Sequence, residues 1–279
     1  NPFEGFENQF SSSDTVRLND GRLFISAIEF NSTLGEYSII GQLLNDELVS
    51  TGPLIKIDVN DKPSSVPVAF SLDDKIGLAW VEGNEVRAQI FQADGKDLSE
   101  KIIVSDDIYE KDAVSVSTNS GGGFAVIWND GAKDGDGDGI FGKIFDSVGQ
   151  PISDEFQVAT NLGDQNSPSI ASLNDDDDKY IVTWMSEGWP RGAGTDDDGS
   201  DRGMFAQLVS SSGNLEGGTI NLNQYTQNSQ GHGSVASIDG EGFFVVWDSD
   251  QGDVEIVSGI SGRIFDSDGS PITSEFRIS

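Results

Sequence analysis

The sequence predicts an all-β protein, specifically a β-propeller of about five four-stranded blades. Three observations carry that expectation: a repeated pattern, the strand chemistry of each copy, and the lack of any run with helical period. The pattern is anchored by an apolar segment that closes on tryptophan: Ile76 to Trp80, Phe124 to Trp128, Tyr180 to Trp184 and Phe243 to Trp247, with Leu23 to Ala27 as a degenerate first copy. A second anchor follows in every copy: Gly41-Gln42-Leu43, Ala88-Gln89-Ile90, Gly142-Lys143-Ile144, Ala206-Gln207-Leu208 and Gly262-Arg263-Ile264. Successive tryptophans of the pattern lie 48, 56 and 63 residues apart, so the unit is constant while its loops grow. Repeats of roughly 40–50 residues holding four strands are the mark of propeller blades.

Within a copy the strands read as a, b, c and d. In copy three, strand a covers 113–116, b covers 124–128, c covers 140–145 and d covers 155–158. β-Branched and aromatic residues fill these runs, and Gly, Pro, Asn and Asp lie between them. Strand b is apolar on both sides of its alternation, so it must be covered on both faces. Neighbouring blades provide that cover. The expected organisation is a leading segment over 1–14 and a propeller over 15–279, with repeats at about 15–58, 59–105, 106–160, 161–223 and 224–279. The start at Asn1-Pro2, with no Met and no signal sequence, suggests a processed or excised segment.

Sixteen basic residues stand against 48 acidic ones, a net charge of −32. That balance argues against binding nucleic acid or an anionic membrane, because both need a basic footprint. No apolar run approaches membrane-spanning length, so no membrane insertion is expected. Most of the carboxylates solvate the surface. The absence of cysteine fits a cytosolic protein, or an exported one made rigid by calcium. The aspartate loops favour the second, since loops of this kind fill only where calcium is near millimolar. An extracellular or cell-surface location follows.

If strand a descends and b returns, the b–c and d–a loops share one end of the sheets and the a–b and c–d turns share the other. The c–d turns are short and alike; the b–c and d–a loops are long and individual. Binding residues are expected among the variable loops. The strongest chemical signal is the b–c loop of copy three, Asp130 through Asp134-Gly135-Asp136-Gly137-Asp138-Gly139. Calcium takes six to eight oxygens in flexible geometry, and alternate aspartates converge on one ion when glycines let the chain wrap. This is not an EF-hand, because Phe145 stands where the closing Glu would be. Copy four offers Asp196, Asp197, Asp198 and Asp201 at the same place, and copy five offers Asp248, Asp250 and Asp253. The competing reading for each cluster is a solvated acidic loop. The short b–c loops of copies one and two, 31–36 and 82–85, should bind no ion, and the aspartate run at 175–178 reads as a solvated a–b turn.

Gly123-Phe124-Ala125-Val126-Ile127-Trp128, the Asp134 to Asp138 loop, Ile140-Phe141-Gly142 and Glu155-Phe156-Gln157-Val158 together resemble repeats of large secreted calcium-binding proteins of marine bacteria, including RTX-type adhesins. The Asp-x-Asp-x-Asp-Gly element is also similar to the calcium loop of FG-GAP propeller repeats. The resemblance covers copies three to five well, about 112–279, and the first two weakly. Gly142 stands where FG-GAP loops often carry a further Asp. The resemblance implies an extracellular, calcium-stabilised repeat module and implies no reaction.

A single histidine, His232, and no cysteine exclude a His/Cys zinc site and a cysteine nucleophile. No serine-hydrolase elbow or phosphate loop is present. A propeller glycosidase needs only two or three carboxylates. A lyase could use His232 with Tyr225 for proton transfer. Trp189 and Arg191, in the long b–c loop of copy four, are candidate ligand contacts, Trp189 as a stacking platform. For His232 and Trp189 the alternatives are an exposed loop residue and packing over its own loop. The expectation is a calcium-binding module for ligand binding or adhesion, probing carbohydrate or a cell surface through Trp189, Arg191, Tyr225 and His232. The rivals are a polysaccharide-degrading enzyme on the same face and a structural spacer.

Overall fold

A computed structural model describes residues 9–96, 99–135, 137–160, 163–173, 178–187, 202–238, 242–250 and 258–279. Strands of the described residues form five four-stranded sheets, each strand hydrogen-bonded to the next in sequence. The first sheet holds β1 (Gln9–Arg17), β2 (Leu23–Asn31), β3 (Glu36–Leu44) and β4 (Ile55–Val59). The second holds β5 (Val68–Leu72), β6 (Lys75–Glu82), β7 (Glu85–Gln92) and β8 (Ile102–Ser105). The third holds β9 (Lys111–Thr118), β10 (Phe124–Gly131), β11 (Asp138–Phe145) and β12 (Phe156–Gln157). The fourth holds β13 (Asp164–Ser172), β14 (Tyr180–Glu187), β15 (Gly203–Val209) and β16 (Leu215–Asn221). The fifth holds β17 (Gln230–Ile238), β18 (Gly242–Asp250), β19 (Ser258–Phe265) and β20 (Phe276–Arg277).

These are the five repeats and four strands that the tryptophan pattern predicts. Several bounds differ, and β18 runs on through Asp248 and Asp250, both expected in a loop. β1 begins at Gln9, ahead of the expected boundary at Asp14, and its cross-strand partners run from Phe30 to Leu23. β10 and β11 run on into the stretch read as a loop, so Asp130 and Asp138 are strand residues and the hairpin shrinks to 132–137.

The chain forms two compact units. The first comprises Asn1–Thr118, Gly122–Val126 and Phe145–Pro151; the second comprises Asn119–Gly121, Ile127–Ile144 and Ile152–Ser279. In the first, Phe24, Ile39, Leu43 and Ile57 of sheet one share a core with Ile76, Leu78, Trp80 and Phe91 of sheet two. In the second, Ile181, Met185, Met204 and Leu208 of sheet four share one with Val235, Phe243, Val245 and Trp247 of sheet five. The pattern tryptophans Trp80, Trp128, Trp184 and Trp247 are all buried, and each such burial contributes about 2–3 kcal/mol.

The second anchor now has physical reasons. A Cβ at Gly41 would sit 2.2 Å from the Phe24 ring, so only a hydrogen fits there. The next residue reaches across to the c–d connection: Gln42 Nε2 donates to the Gly52 carbonyl at 2.9 Å, Gln207 Nε2 to that of Glu216 at 2.7 Å, and Arg263 Nε to that of Thr273 at 3.1 Å. The c–d turns match as well. The Asp146 and Asp266 carboxylates each accept two backbone N–H bonds within their turn, and Gly149 closes the first of these turns at φ +84°.

Candidate functional site

In the second unit the b–c and d–a connections meet at one end of the sheets, as expected. The Asp138 N–H donates to Asp164 Oδ1 at 3.1 Å, and Arg202 bridges Ser229 in parallel. The copy-three hairpin turns through Ala132 at φ +59°, with its N–H on the Gly137 carbonyl at 2.5 Å. Asp134 Oδ2 accepts from Gln157 Nε2 at 3.1 Å. A Cβ on Gly137 would lie 2.2 Å from Asp164 Oδ1, so the glycine admits that carboxylate against the loop. Asp134 and Asp164 thus each bring a carboxylate to this hairpin, the hard oxygen type that calcium takes. Asp136 lies outside the described residues.

Asp130, expected as a loop ligand, is 0% exposed in β10. It accepts from Trp128 Nε1 at 3.2 Å and stands 4.0 Å from Lys133 Nζ. Lys133 also pairs with Glu155, whose carboxylate lies within 4.8 Å of that of Asp130, and sits 5.2 Å over the Phe141 ring. The lysine holds two carboxylates together that would otherwise repel.

The Trp128–Asp130 contact belongs to a series. Two residues on from each tryptophan, on the same side of the strand, stand Glu82, Asp130, Ser186 and Ser249. In the first unit Trp80 Nε1 donates to Glu82 Oε2 at 3.2 Å. In copies four and five a serine is too short to accept, and the buried Trp184 and Trp247 indole N–H groups, like the Ser186 and Ser249 hydroxyls, have no hydrogen-bond partner. The first unit buries a cation too. Lys111, 1% exposed, pairs with Asp107 and donates to the Tyr109 carbonyl at 3.2 Å.

Copy five supplies the most exposed constellation. β17 slips register between Gly231 and Ser234, and His232 sits in that bulge at φ +48°. Bulged residues escape the ladder and re-aim their side chains. Glycines flank it because a Cβ would meet Met185 Sδ at 2.8 Å from Gly231 and Met204 Cε at 2.2 Å from Gly233. The His232 side chain is 70% exposed, with Nδ1 2.9 Å from Oδ1 of Asp248, itself 46% exposed. When Nδ1 carries the proton, the carboxylate fixes that tautomer and Nε2 is left as a base.

Tyr225 is half-buried, its OH 3.5 Å from Gln227 Oε1 and its N–H 2.9 Å from Glu275 Oε2. His232 therefore pairs with Asp248 rather than with Tyr225. Asp250, at the end of β18, donates its N–H to the Ser229 carbonyl at 3.0 Å. Trp189, Arg191, Asp196, Asp197, Asp198, Asp201 and Asp253 lie outside the described residues. Sequence reasoning missed Asp164 and Glu155 as partners of the copy-three loop, and missed the acid-or-serine series. The series was visible in the aligned copies; Asp164 was not, because it arrives from the next copy.

No protein-family model matches the sequence, and no curated protein matches it. Solved structures do resemble it. An α-L-arabinanase of Penicillium chrysogenum complexed with arabinobiose aligns over 96% of this chain and 80% of its own, at TM-score 0.59 and 9% identity. The GH93 α-L-arabinofuranosidase of Fusarium graminearum, also with arabinobiose, aligns over 96% and 80%, at 0.57 and 13%. The β-propeller domain of the Trilobed protease from Pyrococcus furiosus aligns over 97% and 70%, at 0.52 and 11%. The fold is a β-propeller with five four-stranded blades. At such identities the likeness is one of fold alone.

Proposed function

We propose that this chain is an extracellular polysaccharide-degrading propeller that works through the end of its sheets where the b–c and d–a loops lie. The observation that carries the reading is the exposed His232–Asp248 pair, raised on a left-handed bulge at that end. A carboxylate-oriented imidazole open to solvent is a general base in search of a proton, and sugar rings supply protons at carbon and oxygen. Two of the folds it resembles are solved with arabinobiose, which makes a saccharide the natural ligand class. His232 takes or returns the proton; Asp248 orients it.

The test is incubation with a panel of neutral and acidic polysaccharides, arabinan among them, with two readouts: new reducing ends, and the ultraviolet absorbance of an unsaturated product. Cleavage that is lost in His232→Asn and Asp248→Asn supports the reading. Cleavage that survives both substitutions, or a lack of cleavage on every polymer, overturns it. A second reading is favoured by Asp134 and Asp164 at one hairpin: a calcium-stabilised module that binds carbohydrate without cutting it. Binding without turnover, lost in chelator, would select it.

A further inference from the structure

Within the first unit, a cavity of about 460 Å³ opens beside the first strands of copies one, two and three. Its volume is in the range of small-ligand sites. Two left-handed residues border it, Ser12 in the β1 bulge at φ +48° and Ala113 at φ +49°. Hydroxyls of Ser11, Ser12, Ser64 and Ser65 line one part, and Ile28, Val66, Val68 and Val114 line another. That is the mixture a sugar ring presents in reverse: hydroxyls round the edge and C–H groups on the face. The Ser65 Oγ is buried and has no hydrogen-bond partner. Ser64 Oγ gives its proton to the Lys111 carbonyl at 3.2 Å, which leaves its lone pairs to accept.

Lys62 also lines this cavity and is exposed. Among the described lysines and arginines, Lys62 alone makes no hydrogen bond or ion pair. In a chain of net charge −32, every other described cation is engaged while this one is held unpaired at a cavity. Salt at physiological strength screens charges beyond about 8 Å, so the acidic surface outside that range weighs little on a ligand paired with Lys62, and its chain neighbour Asp61 is the carboxylate that competes.

We infer that this cavity is a subsite for a carboxylate-bearing saccharide, a uronic-acid residue whose carboxylate pairs with Lys62 and whose hydroxyls meet the serines. The inference rests on the reading that the chain engages carbohydrate, and it narrows the ligand to acidic polymers. Lys62 and Ser65 belong to the first unit, and the His232–Asp248 pair to the second, so binding and cleavage are separable.

The experiment is calorimetric titration of the whole chain, in physiological saline, with trigalacturonic acid and with its neutral counterpart galactotriose. The acidic trimer should bind at least tenfold tighter. Lys62→Gln should weaken it about tenfold, the size of one charge-assisted contact, and leave the neutral trimer unchanged. Equal affinity for the two trimers, or a Lys62→Gln variant that binds the acid as the parent does, overturns the inference. A parent chain that binds trigalacturonate in this way yet cleaves no polymer would sink the acid–base reading and leave the subsite standing.

Discussion

Replacing Glu82 should destabilise the first unit more than any surface carboxylate would. Glu82 is 4% exposed and accepts three hydrogen bonds: from the Asn60 N–H at 2.6 Å, from Asn60 Nδ2 at 2.9 Å and from Trp80 Nε1 at 3.2 Å. In Glu82→Ala the Trp80 indole, 0% exposed, loses its acceptor where no water reaches, at a cost of about 1–3 kcal/mol. Asn60 is exposed and can turn to water, so its two bonds cost about 1 kcal/mol each. The sum is about 3–5 kcal/mol. At about 2 °C per kcal/mol for a chain of this length, the melting temperature should fall by about 6–10 °C. Glu82→Gln keeps an acceptor of the same reach and should lose about half as much.

The indole bond can be isolated by a cycle of Trp80→Phe, Glu82→Ala and the double variant, followed by thermal and urea unfolding. A coupling of about 1.5–2 kcal/mol is expected, since the acceptor is charged. A coupling below about 0.5 kcal/mol, the scatter of independent sites, would refute the claim that the acid two residues beyond the tryptophan serves the indole.

In copies four and five the same position should respond in the opposite sense. Ser249→Asn gives the Trp247 indole an uncharged acceptor and should raise the melting temperature by about 2 °C, for a net bond of about 1 kcal/mol; Ser249→Asp should lower it, because among the described residues no lysine pairs there as Lys133 does with Asp130, and a fall in the Asn variant would contradict the account. Tyr180 is held well above the ordinary phenol range, first by burial and then by the Asp178 charge. A raised folded value means its contribution is complete below the unfolded pKa of about 10 and is lost as pH rises past it, so alkaline titration of stability should fall more steeply in the parent than in Tyr180→Phe, and parallel curves would be the contrary result. Calcium at 10 mM should raise the melting temperature by about 5 °C over chelator, taking about 2.7 kcal/mol at a hundred times a Kd near 0.1 mM. Magnesium should do far less, Asp164→Asn should shrink the calcium effect, and identical curves in calcium and chelator would exclude the ion.

The fold was legible because its signal is redundant. Four buried tryptophans and five small-residue strand c openings report the same unit, so one degenerate copy does not hide it. Short loops were read correctly as well: the hairpin connections at 31–36 and 82–85 match the ends of β2 and β6. Aspartates misled at the ends of longer strands. Asp130 looks like a loop residue by composition, yet it is a strand residue because Trp128 and Lys133 supply its hydrogen bond and charge. Such compensation comes from side chains three-dimensionally placed, and no propensity encodes it. The bulge under His232 is invisible for a related reason. Bulges arise from pairing register, and copies one, four and five share that slip at two serines and a histidine, Ser12, Ser167 and His232.

That shared slip also bears on what His232 and Asp248 are for. The residue after the tryptophan is Met185 in copy four and Asp248 in copy five, and its cross-strand partner is Asn166 in one and Gly231 in the other. In copy four the methionine is 5% exposed and packs into the core. At the matching point copy five places a half-exposed carboxylate and gives it an imidazole 2.9 Å away. Exposed ion pairs contribute at most about 1 kcal/mol, and burying a methionine side chain contributes about 1.5–3 kcal/mol. The pair in copy five thus contributes less to stability than the buried methionine does in copy four. An exposed acid–base pair there adds little to the fold, and under the proposed reading its side chains act on a ligand outside it.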